Sequence, residues 1–218
     1  MNDAYHPALV DFQFSADEKS AISAALQTEK PWTWKPGGAQ EEALKSAKKK
    51  IRDYHMARHA NKCCYCRTNL YGTGAFMSDR EHVLPKSKAA YRSYSYTMWN
   101  IGVSCKRCNF DYKKTYDNFV VDKVSPEAYL TAGNYLFVHP NFDRWNDHLK
   151  RSVIEHEDFT LVIYSVSDGS TKGQFTYDYF NLKGLEIGLL DKGQGAKDVE
   201  GGIADEVRAL ARAFQQAK

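Results

Sequence analysis

The sequence predicts an α+β protein in which a small cysteine-rich unit lies between a helical segment and a mixed region. Three observations support this fold class. Helix-type apolar periodicity dominates residues 1–60, all five cysteines fall within residues 63–108, and strand-type segments become frequent only after residue 120. We therefore expect three segments, an N-terminal helical segment at 1–60, the cysteine-rich unit at 61–120 and a C-terminal α+β region at 121–218.

Two helices are predicted in the N-terminal segment. The first covers residues 15–27, because Ser15 is followed three positions later by Glu18, the pattern of a capping box. The stretch WTWKPGG at 32–38 ends it, and a second helix follows from about 39 to 60. The apolar face of the second helix comprises Leu44, Ala47, Ile51 and Tyr54.

The C-terminal region predicts several short elements. Ser125 and Pro126 begin a helix that Gly133 stops. Further along the chain, the pattern predicts a strand at 134–140, a helical or irregular stretch at 141–151, two strands at 160–167 and 172–180 with a turn between them, and a final amphipathic helix at 201–216.

Charge and hydropathy bound the class of protein. The net charge of +3 is only mildly basic, but the basic residues concentrate at 45–62, 86–88, 105–108 and 113–114. Such a concentration is typical of a surface that binds a phosphate backbone, and Lys86 and Lys88 are candidates for that contact; a solvated helix face is the alternative. Because no run of about 18 apolar residues occurs and the N-terminus lacks a basic start with an apolar core, we expect a cytoplasmic protein without a membrane span.

The cysteines form two pairs, Cys63-x-x-Cys66 and Cys105-x-x-Cys108, separated by 38 residues. Each pair can give two thiolates to one ion, and together they complete a tetrahedral four-sulfur zinc site. Cys64 is left over, although it could replace Cys63 in a C-x-C pairing. Buried free thiols and a redox pair are the alternatives to a structural zinc ion.

Between the two pairs, the sequence carries a possible reaction centre. The order strand, loop, strand, helix, fastened by zinc, brings Glu81, His82 and Asn109 toward one another. Oxygen ligands from Glu81 and Asn109 suit magnesium or manganese. A histidine beside that ion, but not bound to it, can take a proton from water. The arrangement indicates metal-assisted hydrolysis of a phosphodiester.

The chain carries, in this order, Cys63-x-Tyr65-Cys66, Glu81-His82-Val83-Leu84-Pro85, Trp99-Asn100 and Cys105-x-x-Cys108-Asn109, with Lys113 after them. This pattern resembles the HNH endonucleases of the ββα-metal type over about residues 63–119. The resemblance implies a ββα-metal finger with His82 as general base. Glu81, where the family usually has aspartate or histidine, and Asn109 would hold the catalytic magnesium or manganese ion. Asn100 would hold the loop that carries the histidine, and Lys113 or Lys114 would contact phosphate.

A second resemblance concerns the chain after the finger. Residues 135–149 are similar to the corresponding segment in HNH proteins of the Septu type, called PtuB, through His139-Pro140, Asp143 and His148, and residues 176–188 also suit that group. PtuB proteins accompany an ATPase called PtuA in bacterial antiphage systems and in some retrons. The resemblance implies an ATPase partner and invading nucleic acid as the target.

Three functions are therefore open. The first is a metal-dependent endonuclease acting in defence, with DNA favoured as the substrate. The second is a nuclease that acts on RNA, for example transfer RNA. The third is a non-catalytic zinc module that binds nucleic acid or protein, in which His82 and Asn109 only support the fold.

Overall fold

The computed structural model describes residues 3–72, 74–156 and 159–186. The described chain is a mixed α+β protein with two separate antiparallel hairpins. It divides into two compact units, Met1–Arg144 and a second unit that begins at Trp145. The segment boundaries at residues 60 and 120 stay a prediction. The elements are α1 (Ala16–Leu26), α2 (Gly38–Arg58), α3 (Gly74–Met77), β1 (Ser78–His82), β2 (Ile101–Cys105), a π-helix (Arg107–Lys113), α4 (Trp145–His148), β3 (Leu149–His156), β4 (Phe159–Val166) and α5 (Thr171–Tyr179).

Helix α1 begins at the predicted capping box. The Glu18 backbone amide donates to Ser15 Oγ at 3.2 Å, and the Ser15 amide donates to Glu18 Oε2 at 2.8 Å. The same carboxylate also accepts hydrogen bonds from two α2 side chains, Ser46 at 2.7 Å and Lys50 at 2.8 Å. Glu18 therefore both starts α1 and ties it to α2.

The core of the first unit joins these two helices to the β1–β2 hairpin. Ile101 of β2 and Tyr96 from the loop before it lie in the same apolar cluster as the helix residues. The buried members are Ala21, Ile22, Ala25, Leu44, Ala47, Ile51, Tyr96 and Ile101. The predicted apolar face of α2 is thus confirmed for its first three residues, while Tyr54 is only half-buried.

Strands β1 and β2 pair antiparallel, with Ser78 opposite Cys105 and His82 opposite Ile101. The connection between them contains two short 3-10 helices, Ala89–Tyr94 and Met98–Asn100. The π-helix follows β2 almost at once. The order strand, loop, strand and helix is therefore present, and the helix takes the wider π form.

The segment after the π-helix differs from its prediction. The helix expected from Ser125 to Gly133 is instead two separate 3-10 turns, Ala128–Leu130 and Ala132–Asn134. The strand expected at 134–140 is wrong, since this stretch forms only an isolated bridge between Val120 and Tyr135. Two hydrogen bonds form that bridge, from Leu136 N to Phe119 O at 2.9 Å and from Val121 N to Asn134 O at 3.0 Å, and the pairing does not extend into a strand.

In the second unit, β3 and β4 pair from Leu149 opposite Val166 to His156 opposite Phe159. The strand predicted at 160–167 is confirmed, but the strand predicted at 172–180 is wrong because this stretch forms α5. Ser170 caps that helix by accepting a hydrogen bond from the Gly173 amide at 2.9 Å. The helix predicted at 201–216 lies outside the described residues. No helix in the described ranges is long and apolar enough to cross a bilayer.

Candidate metal centre and active site

Four cysteine side chains converge at the base of the first hairpin. The sulfurs of Cys63, Cys66, Cys105 and Cys108 all lie within 4.8 Å of one another, and Cys66 Sγ is 3.7 Å from Cys105 Sγ. A zinc ion bound to four thiolates at about 2.3 Å places its sulfurs about 3.8 Å apart. The donor set and its spacing therefore fit a structural zinc ion, in agreement with the predicted cysteine pairs.

Each cysteine pair lies in a tight backbone turn. The Cys63 amide donates to Thr68 O at 2.9 Å, and the Arg67 amide donates to Cys63 O at 2.9 Å. Arg67 accordingly adopts a left-handed φ of 60°. In the second pair, the Cys108 amide donates to Cys105 Sγ at 3.4 Å. These turns direct both pairs of sulfurs to one point.

Electrostatics within the cluster favour a thiolate. Burial alone would raise the pKa of Cys63, but hydrogen bonds from the Cys105 and Cys108 thiols hold it well below its usual range. Cys64 stays outside the cluster, buried, with its sulfur 3.1 Å from where a Cβ on Gly102 would lie. Cys63, rather than Cys64, is therefore the member of the four-sulfur site, and Cys64 packs against strand β2.

Glu81 is buried beside a cation. Its Oε1 accepts hydrogen bonds from Tyr65 Oη at 3.2 Å and forms an ion pair with Lys113 Nζ at 3.0 Å. Burial raises the pKa of Glu81, and the charge of Lys113 partly offsets that effect. Glu81 therefore carries its carboxylate inside the protein only because an ammonium group lies against it.

Lys113 is placed differently from its predicted phosphate contact. Only 1% of Lys113 is exposed, and its Nζ also donates to the His82 backbone carbonyl at 2.6 Å. A side chain committed to these two acceptors has no access to a backbone phosphate. Lys114, by contrast, is exposed and lies 5.9 Å from the centre of the Tyr116 ring. Of the two lysines, Lys114 is the one at the surface.

His82 is buried with one nitrogen hydrogen-bonded. Its Nε2 lies 2.9 Å from Ser95 O, and because a carbonyl can only accept, Nε2 carries the proton. Nδ1 is then the basic nitrogen, and it is buried without a hydrogen-bond partner among the described residues. Burial and the charge of Lys86 hold the pKa of His82 well below its usual value, so the imidazole is neutral near pH 7. The Trp32 ring covers it edge to face at 4.5 Å.

Asn100 is buried in the loop between the strands. Its Oδ1 accepts from the Leu84 amide at 2.7 Å, while its Nδ2 donates to Leu84 O at 3.3 Å and to Tyr94 O at 3.2 Å. These three bonds join the residues just after His82 to the residues just before β2. The Asn100 amide thus holds the loop that follows His82.

Asn109, at the third position of the π-helix, faces β1. Its Nδ2 donates to Asp79 Oδ2 at 3.2 Å. Asp79 is absent from the residues singled out in the sequence, yet alternation along a strand would have indicated it, since it lies two positions before Glu81 and so on the same face. Asp79, Glu81 and Asn109 therefore belong to one side of the hairpin.

The predicted convergence of Glu81, His82 and Asn109 is partial. Because Glu81 and His82 are consecutive in β1, their side chains leave it on opposite faces and have separate partners. The positive charges of Lys86 and Lys113 nevertheless lower the pKa of both Glu81 and His82. The oxygens of Glu81 and Asn109, with Asp79 beside them, match the donor chemistry of magnesium or manganese.

The two remaining candidate lysines differ in their surroundings. Lys86 is half-buried, and burial lowers its pKa against the opposing effect of Glu81 and Asp79. Lys88 forms an ion pair with Asp117, which is also paired with Lys123. Of these two lysines, Lys86 is therefore the better candidate for binding a ligand, since Lys88 is already in an ion pair.

The segment around Asn141 packs against the start of strand β2. Asn141 Nδ2 donates to the Trp99 carbonyl at 2.9 Å and to the Ile101 carbonyl at 2.7 Å. The turn that carries Asn141 is closed by the His139 amide, which donates to Asp143 Oδ2 at 2.7 Å. His139 and Asp143, two residues of the second resemblance, thus hold the start of β2 in place.

Comparisons of the chain with protein-family models, with curated proteins and with solved structures gave no match.

Proposed function

We propose that the chain is a metal-dependent endonuclease of the HNH type that hydrolyses phosphodiester bonds in nucleic acid, with zinc as a structural ion in the four-cysteine cluster. The observation that carries the proposal is the state of His82, a neutral imidazole with Nε2 bound to a carbonyl and Nδ1 free. It lies at the end of a strand whose hairpin is fastened by the four sulfurs. A general base needs this combination of fixed orientation and an unprotonated nitrogen.

In the proposed reaction, His82 Nδ1 takes the proton from the attacking water. Glu81 and Asn109 would hold a magnesium or manganese ion, whose charge stabilises the phosphate as negative charge develops. Lys113 and Tyr65 both contact Oε1 of Glu81, so the ion would use Oε2, and the positive charge of Lys113 would oppose its binding. Asn100 keeps the imidazole in place by fixing the loop that follows it.

The proposed substrate is DNA, with RNA as the alternative. Exposed Lys114 and half-buried Lys86 flank the hairpin and suit phosphate groups on either kind of strand. Because such contacts bind the backbone and read no bases, the affinity should fall steeply with salt.

The proposed context is antiphage defence with an ATPase partner of the PtuA type. This part rests on the resemblance of residues 135–149, whose His139 and Asp143 form the turn described above. Co-purification with the product of the neighbouring reading frame tests it. We expect a stable complex that survives size-exclusion chromatography, and separate elution of the two proteins would contradict this partner.

A non-catalytic zinc module is the second candidate. The pairing of Glu81 with Lys113 favours it, since both residues are almost fully buried and the ammonium group beside the carboxylate opposes the binding of a second cation. In that case, His82 and Asn109 only support the hairpin. This candidate predicts that divalent metal adds no cleavage.

One experiment separates these functions. The purified protein, loaded with zinc, is incubated with plasmid, single-stranded DNA and total RNA, with magnesium or manganese and with chelator. We expect His82→Ala to lower the cleavage rate by about 100-fold or more while the protein stays folded and keeps its zinc ion. His6→Ala, at an exposed histidine, is the control and should cleave normally. Absence of metal-dependent cleavage by the wild type, or full activity of His82→Ala, would refute the nuclease.

A further inference from the structure

We propose that Lys30, Lys86 and Arg92 form a phosphate-binding pocket beside Trp32 that holds a non-scissile phosphate of the nucleic-acid strand. This inference rests on the proposed function, because it assigns part of the substrate to a site next to His82. The three cations come from two parts of the chain, the turn between α1 and α2 and the loop after β1. None of them was expected from the sequence to meet the others.

The three cations line one cavity of about 250 Å³, together with Trp32. Pockets for drug-sized ligands are roughly 300–1,000 Å³, so this volume suits a smaller group such as a phosphate. Glu29 is the only acidic residue in the lining, and none of the three cations forms a salt bridge within the described chain. Three cations around one cavity with a single acidic residue favour an anionic ligand.

Arg92 provides the second observation. Its Nε is buried and has no hydrogen-bond partner among the described residues. A buried N–H without an acceptor is costly, and native proteins usually satisfy such groups with protein, water or a ligand. The guanidinium borders the cavity and its planar donor geometry suits a phosphate; because Nε is closed to solvent, the Arg92 side chain must turn for Nε to reach a phosphate oxygen.

The pocket is connected to His82 through two residues. Ser95 accepts from the imidazole through its carbonyl, while its own amide and Oγ donate to Arg92 O at 3.1 Å and 2.6 Å. Trp32 lines the cavity and also contacts the imidazole at 4.5 Å between ring centres. A phosphate in the cavity is therefore next to the imidazole but separated from it by the indole, as expected for a phosphate adjacent to the cleaved one.

Binding measured without cleavage tests the pocket. Fluorescence anisotropy with a labelled single-stranded DNA, the matching RNA and the matching duplex is recorded in buffer without magnesium or manganese at several salt concentrations. We expect Arg92→Gln to weaken binding about ten-fold or more and to lower the slope of log Kd against log salt by about one. Lys30→Gln, at an exposed side chain whose loss should leave the fold intact, should weaken binding in the same direction.

Arg144→Gln is the matched control, an exposed arginine outside the cavity lining that should bind as wild type does. Wild-type affinity of both Arg92→Gln and Lys30→Gln, or no binding of any probe by the wild type, would overturn the pocket. Cleavage by a wild type whose variants bind normally would leave the nuclease standing without the pocket. Weakened binding by the variants of a wild type that does not cleave would leave the pocket standing without the nuclease.

Discussion

Replacing Lys113 with methionine removes the cation that faces Glu81. Both residues are at most 2% exposed, so water cannot replace the lost partner of the carboxylate. The change also leaves the His82 carbonyl without the ammonium group that donates to it at 2.6 Å. Methionine keeps a similar apolar stem, although it also removes the ammonium group that lies 5.7 Å from the centre of the Phe119 ring. The perturbation is therefore mainly electrostatic.

The expected cost is about 4 kcal/mol in the free energy of unfolding. Removing one member of a buried ion pair typically costs about 3–5 kcal/mol, because an uncompensated charge remains inside the protein. Leaving the His82 carbonyl without a donor typically costs about 1–3 kcal/mol, and this cost overlaps with that of the broken ion pair. A loss of this size is a large share of the roughly 5–15 kcal/mol that stabilises a typical domain.

Urea unfolding followed by tryptophan fluorescence, at a fixed excess of zinc, measures this cost. The double variant Glu81→Gln with Lys113→Met should regain most of the lost stability, since it removes both charges. Lys114→Met, one residue further and exposed, is the control and should change stability by less than about 0.5 kcal/mol. A loss below about 1 kcal/mol for Lys113→Met would refute the buried ion pair.

Two further predictions concern the metal cluster and acid stability. Cys105→Ser should lose the zinc ion, measured as metal content, and should unfold more readily because zinc binding and folding are coupled. Cys64→Ala is the control and should keep the zinc ion. Retention of zinc by Cys105→Ser would contradict the four-cysteine site. Burial lowers the pKa of His55 to about 3, so the unfolded chain, with an ordinary histidine pKa, binds the extra proton. The free energy of unfolding should therefore fall as the pH drops below about 6.5, by roughly 2 kcal/mol at pH 5 from this residue. Urea titrations of His55→Phe should show a smaller loss. A pH dependence equal to that of the wild type would contradict this role of His55.

The features that the sequence predicted best depend on local chemistry. The capping box of Ser15 and Glu18 needs only four consecutive residues, and its two hydrogen bonds are present. The spacing of Cys63 and Cys66 fixes a tight turn in the same way, so the cluster could be anticipated before any tertiary contact was known. In both cases, the residue types allow few other uses at that spacing.

The errors arise where two local rules compete or where tertiary contacts decide. Residues 172–180 are rich in aromatic residues, which favours a strand, but the cap that Ser170 provides begins a helix instead. Lys113 or Lys114 was expected to contact phosphate, and in an α-helix Lys113 would lie one turn beyond Asn109. The π-helix widens that turn, since the Lys114 amide donates to Asn109 O at 2.7 Å in an i to i+5 bond. The wider turn directs Lys113 inward, toward Glu81.

The position of Trp32 joins the N-terminal helices to the chemistry of the hairpin. Its ring lies against His82 and near two cations, with Lys48 Nζ at 5.3 Å and Arg80 Cζ at 5.8 Å from the ring centre. The burial that keeps the imidazole neutral also keeps water from Nδ1, so these two requirements of a general base conflict in this conformation. The short turn Pro31–Thr33 carries Trp32 and is held to the hairpin side by a hydrogen bond from Tyr96 Oη to Pro31 O at 3.1 Å and by the ring contacts of Trp32 with Tyr96 and His82. Under the proposed function, Trp32 therefore borders the general base from outside the β1–β2 hairpin.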